Sequence, residues 1–265
     1  MADLPVLREP ARYPRVGLRH RFYLACQAGI ALVPTSCVLC QGRAKGGSLC
    51  VFCHAAVMRS MLDGRPRCLA CCLALDAAMQ CPDCVQRLPA FDRVIAAFDY
   101  AAPGDLLIHY LKAGRRFTSA AMLAGLLAQA VRHATLALPD DAILVPVPAS
   151  RASIRERGFN PAAEVARCLA RQLGMACRPG LLLRAQEGRR QTHLGRIERV
   201  SSSLALYSCP MRVDGAAIVV VDDVMTTGST LHSIAQVLKA AGAASVCGLV
   251  LARTPYVSRP DQQPG

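Results

Sequence analysis

The chain has 265 residues, 53% of them apolar and 18% charged, which excludes a disordered polymer and suits one or two domains with a buried core. Aromatics are only 5% and Trp is absent, so that core must be aliphatic, and Pro plus Gly are too few for a collagen-like chain. The 31 basic residues, nearly all Arg, against 18 acidic ones leave a net charge of +13, which favours phosphate-bearing partners because the guanidinium fork matches phosphate oxygens.

Residues 1–36 are expected to form a tail and a lead-in helix. The run from Phe22 to Val33 follows Arg19, His20 and Arg21, but it starts far from Met1 and lacks a small-x-small cleavage pattern. It is read as a helix ended by Pro34 rather than as an export signal. No apolar stretch reaches the 18 or so residues of a membrane span.

Residues 37–90 form a cysteine-rich module. Ten of the fourteen cysteines lie between Cys26 and Cys84, and eight make four C-x-x-C pairs: Cys37/Cys40, Cys50/Cys53, Cys68/Cys71 and Cys81/Cys84. Each half reads C-x-x-C, nine residues, C-x-x-C, and the second half repeats the first 31 residues on. Two thiolates on one tight turn reach a single tetrahedral ion, and four complete a structural zinc shell. A disulfide framework is the competing reading, but such adjacent pairs bridge one another poorly. Two structural zinc ions are therefore expected, with sequential pairs sharing an ion. Cys72, beside Cys71, leaves open which of the two is the ligand. Thiolate ligands and the lack of an export signal place the protein in the cytoplasm.

Residues 91–265 alternate strands with helices. Strands are predicted at Arg93–Tyr100, Ala142–Val147, Ala216–Val221 and Ser245–Leu251. Helical turns are predicted through Leu106–Lys112, and helices at about Ala120–Ala134, Pro161–Leu173 and Ser229–Ala241. Asn160 is the N-cap of the second of these helices, with Pro161 at its first position. Continuously apolar strands joined through helices indicate an α/β fold, a parallel sheet covered on both faces.

The most informative stretch runs from Val219 to Thr230. A buried strand delivers Asp222 and Asp223, and then Val224, Met225, Thr226, Thr227 and Gly228 lead into a helix opened by Ser229 and Thr230. Ligands of open parallel sheets bind beyond the carboxyl ends of the strands. Free backbone N–H groups and hydroxyls at a helix start suit a phosphate, with Gly228 letting the backbone approach. Two carboxylates would repel that phosphate, so vicinal sugar hydroxyls, with Mg²⁺ nearby, are their natural partners. A Walker loop and a G-x-G-x-x-G turn are both absent.

This segment resembles the motif by which type I phosphoribosyltransferases bind 5-phosphoribosyl 1-diphosphate (PRPP). The resemblance implies that Asp222 and Asp223 hold the ribose hydroxyls and are the catalytic pair, and that Thr226 to Thr230 hold the 5′-phosphate. A second run, Val145-Pro146-Val147-Pro148 followed by Arg155, Arg157, Gly158 and Asn160, narrows the match. It resembles the ComF family of competence-related phosphoribosyltransferase-like proteins, which carry an N-terminal cysteine-rich zinc module. Leu111, Lys112 and Gly114, and Gln191 with Arg199, fit the same pattern, so the likeness spans about residues 22–254. It implies a type I phosphoribosyltransferase-like sheet with a small zinc-ribbon module.

By the same resemblance, Pro146, Val147, Pro148, Arg155, Arg157 and Gly158 belong to a pyrophosphate loop, where the two arginines could neutralise a diphosphate. Gln191 and Arg199 lie in a flexible loop, for residues 178–199 carry six Arg against two Glu. Ser202 stands where the family pattern has Asn, and Tyr207 where it tends to Phe. His109, His193 and His232 have no readable partner and are taken as surface or helix filler.

Three functions follow. The chain transfers ribose 5-phosphate from PRPP, with Mg²⁺, to a nitrogenous acceptor; or it binds PRPP or a nucleotide as a regulator; or it serves DNA uptake, with single-stranded DNA or uptake proteins as partners. Phe52 is the only aromatic residue of the module, which gives a poor platform for stacking bases. The acceptor pocket is expected at the zinc module or its junction.

Overall fold

A computed structural model describes residues 32–76, 79–113, 118–184 and 206–256, together with Cys26 and Gly29. Most of the expected lead-in helix, Gly114, and the loop holding Gln191, His193, Arg199 and Ser202 lie outside the described residues.

The module begins with a hairpin of β1 (Pro34–Ser36) and β2 (Arg43–Lys45), followed by α1 (Val51–Leu62). Among the described residues its second half has only an isolated bridge, Arg67 with Ala74, and a short helix, α2 (Pro82–Gln86). Then come β3 (Arg93–Asp99), α3 (Gly104–Lys112), α4 (Thr118–His133), β4 (Ile143–Pro146), α5 (Arg151–Arg157), α6 (Pro161–Leu173) and the short strands β5 (Ala176–Cys177), β6 (Leu183–Arg184) and β7 (Tyr207–Ser208). The chain closes with β8 (Ala217–Met225), α7 (Ser229–Ala240) and β9 (Ser245–Arg253).

Five strands make one wholly parallel sheet in the order β3-β9-β8-β4-β5. Alternation along each strand divides the core in two. Ile95, Ala97, Leu144, Val219, Val221, Leu249 and Leu251 face α3, α4 and α6; Val94, Ala96, Ile143, Val145, Ile218, Val220 and Val250 face α7. Both faces are covered, which is why these strands read as unbroken apolar runs. Local signals set the helix ends: the Asn160 carboxamide oxygen accepts from the N–H groups of Ala162 and Ala163, and the Ser150 hydroxyl accepts from Ser153 N–H at 3.0 Å.

Two features of the described residues could not be read from the sequence. The third predicted strand does not stop at Val221, because β9 runs on to Arg253 and pairs with β8 through Asp222, Val224 and Met225. The acid pair therefore lies within the strand. The module also has no core of its own. Cys37, Leu49, Val57 and Met58 join the core under α4 and α6, whereas Cys71, Leu73 and Cys81 join the opposite core with Phe91 and α7. A bidentate ion pair from Arg67 to the buried Asp99 of β3, 2.8 and 2.9 Å, pins the junction between the two halves.

Candidate functional site

The site gathers at the carboxyl ends of β8 and β4. Asp222 and Asp223 are half-buried, and each is oriented by its successor: Asp223 N–H donates to Asp222 at 2.9 Å, and Val224 N–H donates to Asp223 at 2.8 Å. Lys112, at the end of α3, pairs with Asp223 at 3.0 Å. Burial, and then the charge of Asp223, push the Asp222 carboxyl up to about 8. Two carboxylates that resist joint ionisation suit a ligand that brings hydroxyl donors or a hard cation, and carboxylate oxygens are what Mg²⁺ selects.

Met225 is buried beneath the turn, Thr227 is exposed, and Thr226 and Ser229 are exposed around a cavity of about 30 Å³ that also reaches Val147, Asp222 and Thr230. The Thr227 hydroxyl donates to that of Ser229 at 3.3 Å. Gly228 is the N-cap of α7 with φ 77°, and a Cβ there would stand 2.5 Å from Met225 Cε. Glycine takes this left-handed backbone without strain, and any Cβ would also require Met225 to move. The result is a ring of hydroxyls and unpaired helix N–H groups, the arrangement that accepts an anion.

Beside it, Val147 N–H donates to the Val221 carbonyl at 2.9 Å, and the Asn160 amide holds the Val147 carbonyl at 2.9 Å. Pro146 and Val147 are buried and Pro148 half-buried. A short helix, α5, follows instead of an open loop, with Arg155 exposed and Arg157 half-buried in its last turn. Gly158 ends that helix as its left-handed cap at φ 80°, with open space around it.

Sequence reasoning passed over two neighbours. Tyr207 is buried, with its ring under the Arg184 guanidinium at 6.0 Å. His232, expected as filler, is only 8% exposed; its Nδ1 accepts from Ala90 N–H at 3.1 Å, which leaves the proton of the neutral ring on Nε2. Burial, and then Arg87, hold its pKa below the ordinary value. His109 is exposed on α3.

The eight paired cysteines form two clusters, Cys37/Cys40/Cys50/Cys53 and Cys68/Cys71/Cys81/Cys84, each with all sulfurs within 4.8 Å of one another. Among the described residues every cysteine is a free thiol. Cys40–Cys50, Cys68–Cys84 and Cys71–Cys81 stand 3.6, 3.7 and 3.4 Å apart, far beyond a disulfide. Zinc–sulfur bonds of about 2.3 Å place tetrahedral sulfurs roughly 3.8 Å apart, so both clusters fit zinc. In the first cluster burial raises the Cys37 thiol, but backbone N–H groups of Cys40, Cys50 and Leu39 outweigh it and lower it to about 6, while burial and neighbouring thiols push Cys53 up. The second repeats this, with Cys68 lowered, Cys81 pushed up to about 11 and Cys84 raised. A bound cation relieves that opposition.

The repeat also settles Cys72. Gln41 N–H donates to the Cys37 carbonyl and Cys37 N–H to that of Gly42; 31 residues on, Cys72 pairs with Cys68 and Cys68 with Leu73 in the same way. Gln41 and Cys72 share a left-handed backbone, φ 60° and 62°. Cys72 is thus the turn residue of the second knuckle, and Cys71 belongs to the cluster.

The second cluster adjoins the β8 turn. A cleft of about 200 Å³ between them is lined by Cys84, Arg87, Phe91, Thr227, Ser229 and His232. No helix among the described residues is long and apolar enough to cross a membrane.

Residues 152–263 match the phosphoribosyl transferase domain family. The chain is 37% identical over 231 residues to DNA utilization protein YhgH of Salmonella typhimurium, covering 84% of this chain and 98% of that one. It is 29% identical over 228 residues to competence protein F of Haemophilus influenzae, covering 82% and 96%. Over 113 residues it is 35% identical to competence protein ComFC of Bacillus subtilis, covering 42% and 45%.

Proposed function

The chain belongs to the ComF family, and from that premise we propose that it binds PRPP at the end of β8 and transfers the ribose 5-phosphate to a nitrogenous acceptor. One observation carries the reading: an acid pair and a hydroxyl-lined helix start stand side by side at the carboxyl end of a central parallel strand. In this reading the Thr226–Thr230 hydroxyls and N–H groups take the 5′-phosphate, and Asp222 and Asp223 accept from the ribose hydroxyls. Arg155 and Arg157 reach toward the diphosphate from the β4 side, with Gln191 and Arg199 assigned to the same end of the ligand. Mg²⁺ bound with PRPP would neutralise the departing diphosphate. The C1′–O bond to diphosphate breaks as the bond from the acceptor nitrogen forms. The chain's part is positioning and electrostatics, holding the sugar as positive charge spreads over C1′. Zinc at the two cysteine clusters is structural, and the cleft beside the second cluster is the place for the acceptor.

Calorimetric titration with PRPP and Mg²⁺ tests the reading. Binding is expected, and the double change Asp222→Asn, Asp223→Asn should weaken it at least about tenfold, 1.4 kcal/mol, without comparable loss of thermal stability. Thr227→Val should act more weakly, since the backbone donors remain. No affinity for PRPP or any 5′-phosphorylated ribose would reduce the segment to a turn. Binding without diphosphate release across a panel of nucleobases and amines would assign the protein as a regulator. The relatives' names carry a role in DNA handling to this chain as a further proposal. Phe52 is 86% exposed, and salt-sensitive binding of single-stranded DNA would support that role.

A further inference from the structure

Arg253 ends β9 and is the largest fully buried side chain, 1% exposed. A guanidinium stays charged in any such setting, and its five N–H donors lie in one rigid plane. On one side, Nε donates to the Cys71 carbonyl at 3.0 Å, and Nη2 reaches Cys71 Sγ at 3.7 Å and the Asp83 carboxylate at 2.5 Å. Asp83 sits on α2, between Cys81 and Cys84. On the other side, Nη1 donates to the carbonyls of Thr226 and Thr254, the latter at 2.8 Å, with the Met225 carbonyl at 3.4 Å. One planar group therefore grips the second cysteine cluster with one edge and the first residue of the β8 turn with the other.

Two physical consequences follow. The peptide between Thr226 and Thr227 is planar and trans, so fixing the Thr226 carbonyl on Arg253 aims the Thr227 N–H to the opposite side of the turn. The cluster's own charge also bears on the arginine. Four thiolates around Zn²⁺ would leave a net charge of about −2, beside the Nη2 that reaches Cys71 Sγ at 3.7 Å. Metal loading thus strengthens the pull on the edge that holds Cys71, and a rigid fork passes any displacement to its other edge.

We propose that Arg253 is a positioning residue that couples metal occupancy of Cys68, Cys71, Cys81 and Cys84 to the anion-binding geometry of the Thr226–Gly228 turn. Coupling between two sites is reciprocal, so an anion held at the turn tightens the metal by the same factor that the metal tightens the anion. The identity of the anion as a 5′-phosphorylated ribose rests on the function proposed above; the mechanical coupling does not.

The experiment uses the full zinc-loaded chain. Hydrogen exchange is followed at the amides of residues 225–230 in the wild type, in Arg253→Lys and in Asp83→Asn, which keeps the arginine but removes the charge of its partner between Cys81 and Cys84. Val57→Ala, in the opposite core, is the control for general destabilisation. Turn exchange should rise about tenfold in both test variants, within the usual range of such couplings, and stay unchanged in Val57→Ala. In parallel, zinc release to a chelator is timed with and without saturating ribose 5-phosphate. The sugar phosphate should slow one of two release phases severalfold in the wild type and not in Asp83→Asn. Unchanged turn exchange in Asp83→Asn, or an equal rise in Val57→Ala, overturns the coupling. So does a bound sugar phosphate that leaves both release phases alone. If ribose 5-phosphate fails to bind the wild type, the PRPP reading falls, and the exchange measurement still decides the coupling.

Discussion

The raised Asp222 carboxyl gives the proposed PRPP site a pH dependence of definite sign. Its ordinary value of 3.8 is moved to about 8, first by burial and then by Asp223, against the opposing pull of the Asp223 N–H and Lys112. Hydroxyl donors and a hard cation favour the ionised acid, so binding must expel a proton at any pH below about 8. Each pH step below that value costs about 1.4 kcal/mol, a factor of ten. Affinity for PRPP with Mg²⁺ should therefore rise about fivefold from pH 7 to 8 and level off by about pH 9. Work above pH 6.5 keeps ionisation of the ligand's own phosphates, near 6, from dominating. Calorimetry in two buffers of different ionisation enthalpy should find close to one proton released per ligand at pH 7. The folded state holds this proton more tightly than the unfolded chain, so its contribution to stability is present at low pH and fades as pH rises from 3.8 through about 8. Asp222→Asn should accordingly be more thermostable than the wild type at pH 8 while binding PRPP less well. An affinity flat between pH 6.5 and 8, with no proton released, would refute the assignment.

Metal analysis of protein purified under reducing conditions should find about two zinc ions per chain; a single ion would mean that one cluster stays empty. Cys37→Ser should lower the melting temperature in one cooperative transition, because Cys37 lies in the same core as Leu144 and Val219; separate calorimetric transitions for module and sheet would contradict the shared core. Gly228→Ala should cost about 1–2 kcal/mol in urea unfolding, since Met225 can swing aside but the left-handed backbone cannot relax, and should weaken ribose 5-phosphate binding as well. A variant as stable as the wild type would show that the turn adapts freely.

Much of this architecture could be read from the chain because it rests on local chemistry. Continuous apolar runs announced β3, β4, β8 and β9, and Asn160-Pro161 announced α6. The end of β8 was misread because two aspartates look like a strand terminus; pairing with β9, remote in sequence, carries the strand through them. Cys72 looked ambiguous although the signal was present: the 31-residue offset aligns it with Gln41, a turn residue and no ligand. His232 gave no signal, since its partner Ala90 lies 142 residues away. Arg253 did give one, a charge closing an otherwise apolar strand, and its meaning needed the neighbours that the fold supplies.

Those neighbours also explain how one duplicated motif acquires two roles. Both ribbons use the same knuckles and the same four-thiol geometry, so metal chemistry alone makes them equivalent. Alternation along β3 does not, because it sends Ile95 and Ala97 to one core and Val94 and Ala96 to the other, and each ribbon packs with one of these sets. The first ribbon meets α4, where His54 bonds Gln129 at 3.0 Å, and β3, where Asp99 N–H donates to the Ser60 hydroxyl at 3.3 Å. The second meets the start of α7 and the turn before it, where a carbonyl of a cluster cysteine and a carbonyl of the turn share one guanidinium. Exchanging the faces would leave both four-thiol clusters and the fold class unchanged yet remove the Arg253 bridge from cluster to turn. The asymmetry between the ribbons therefore resides in where the chain crosses the sheet, at the Arg67–Asp99 ion pair.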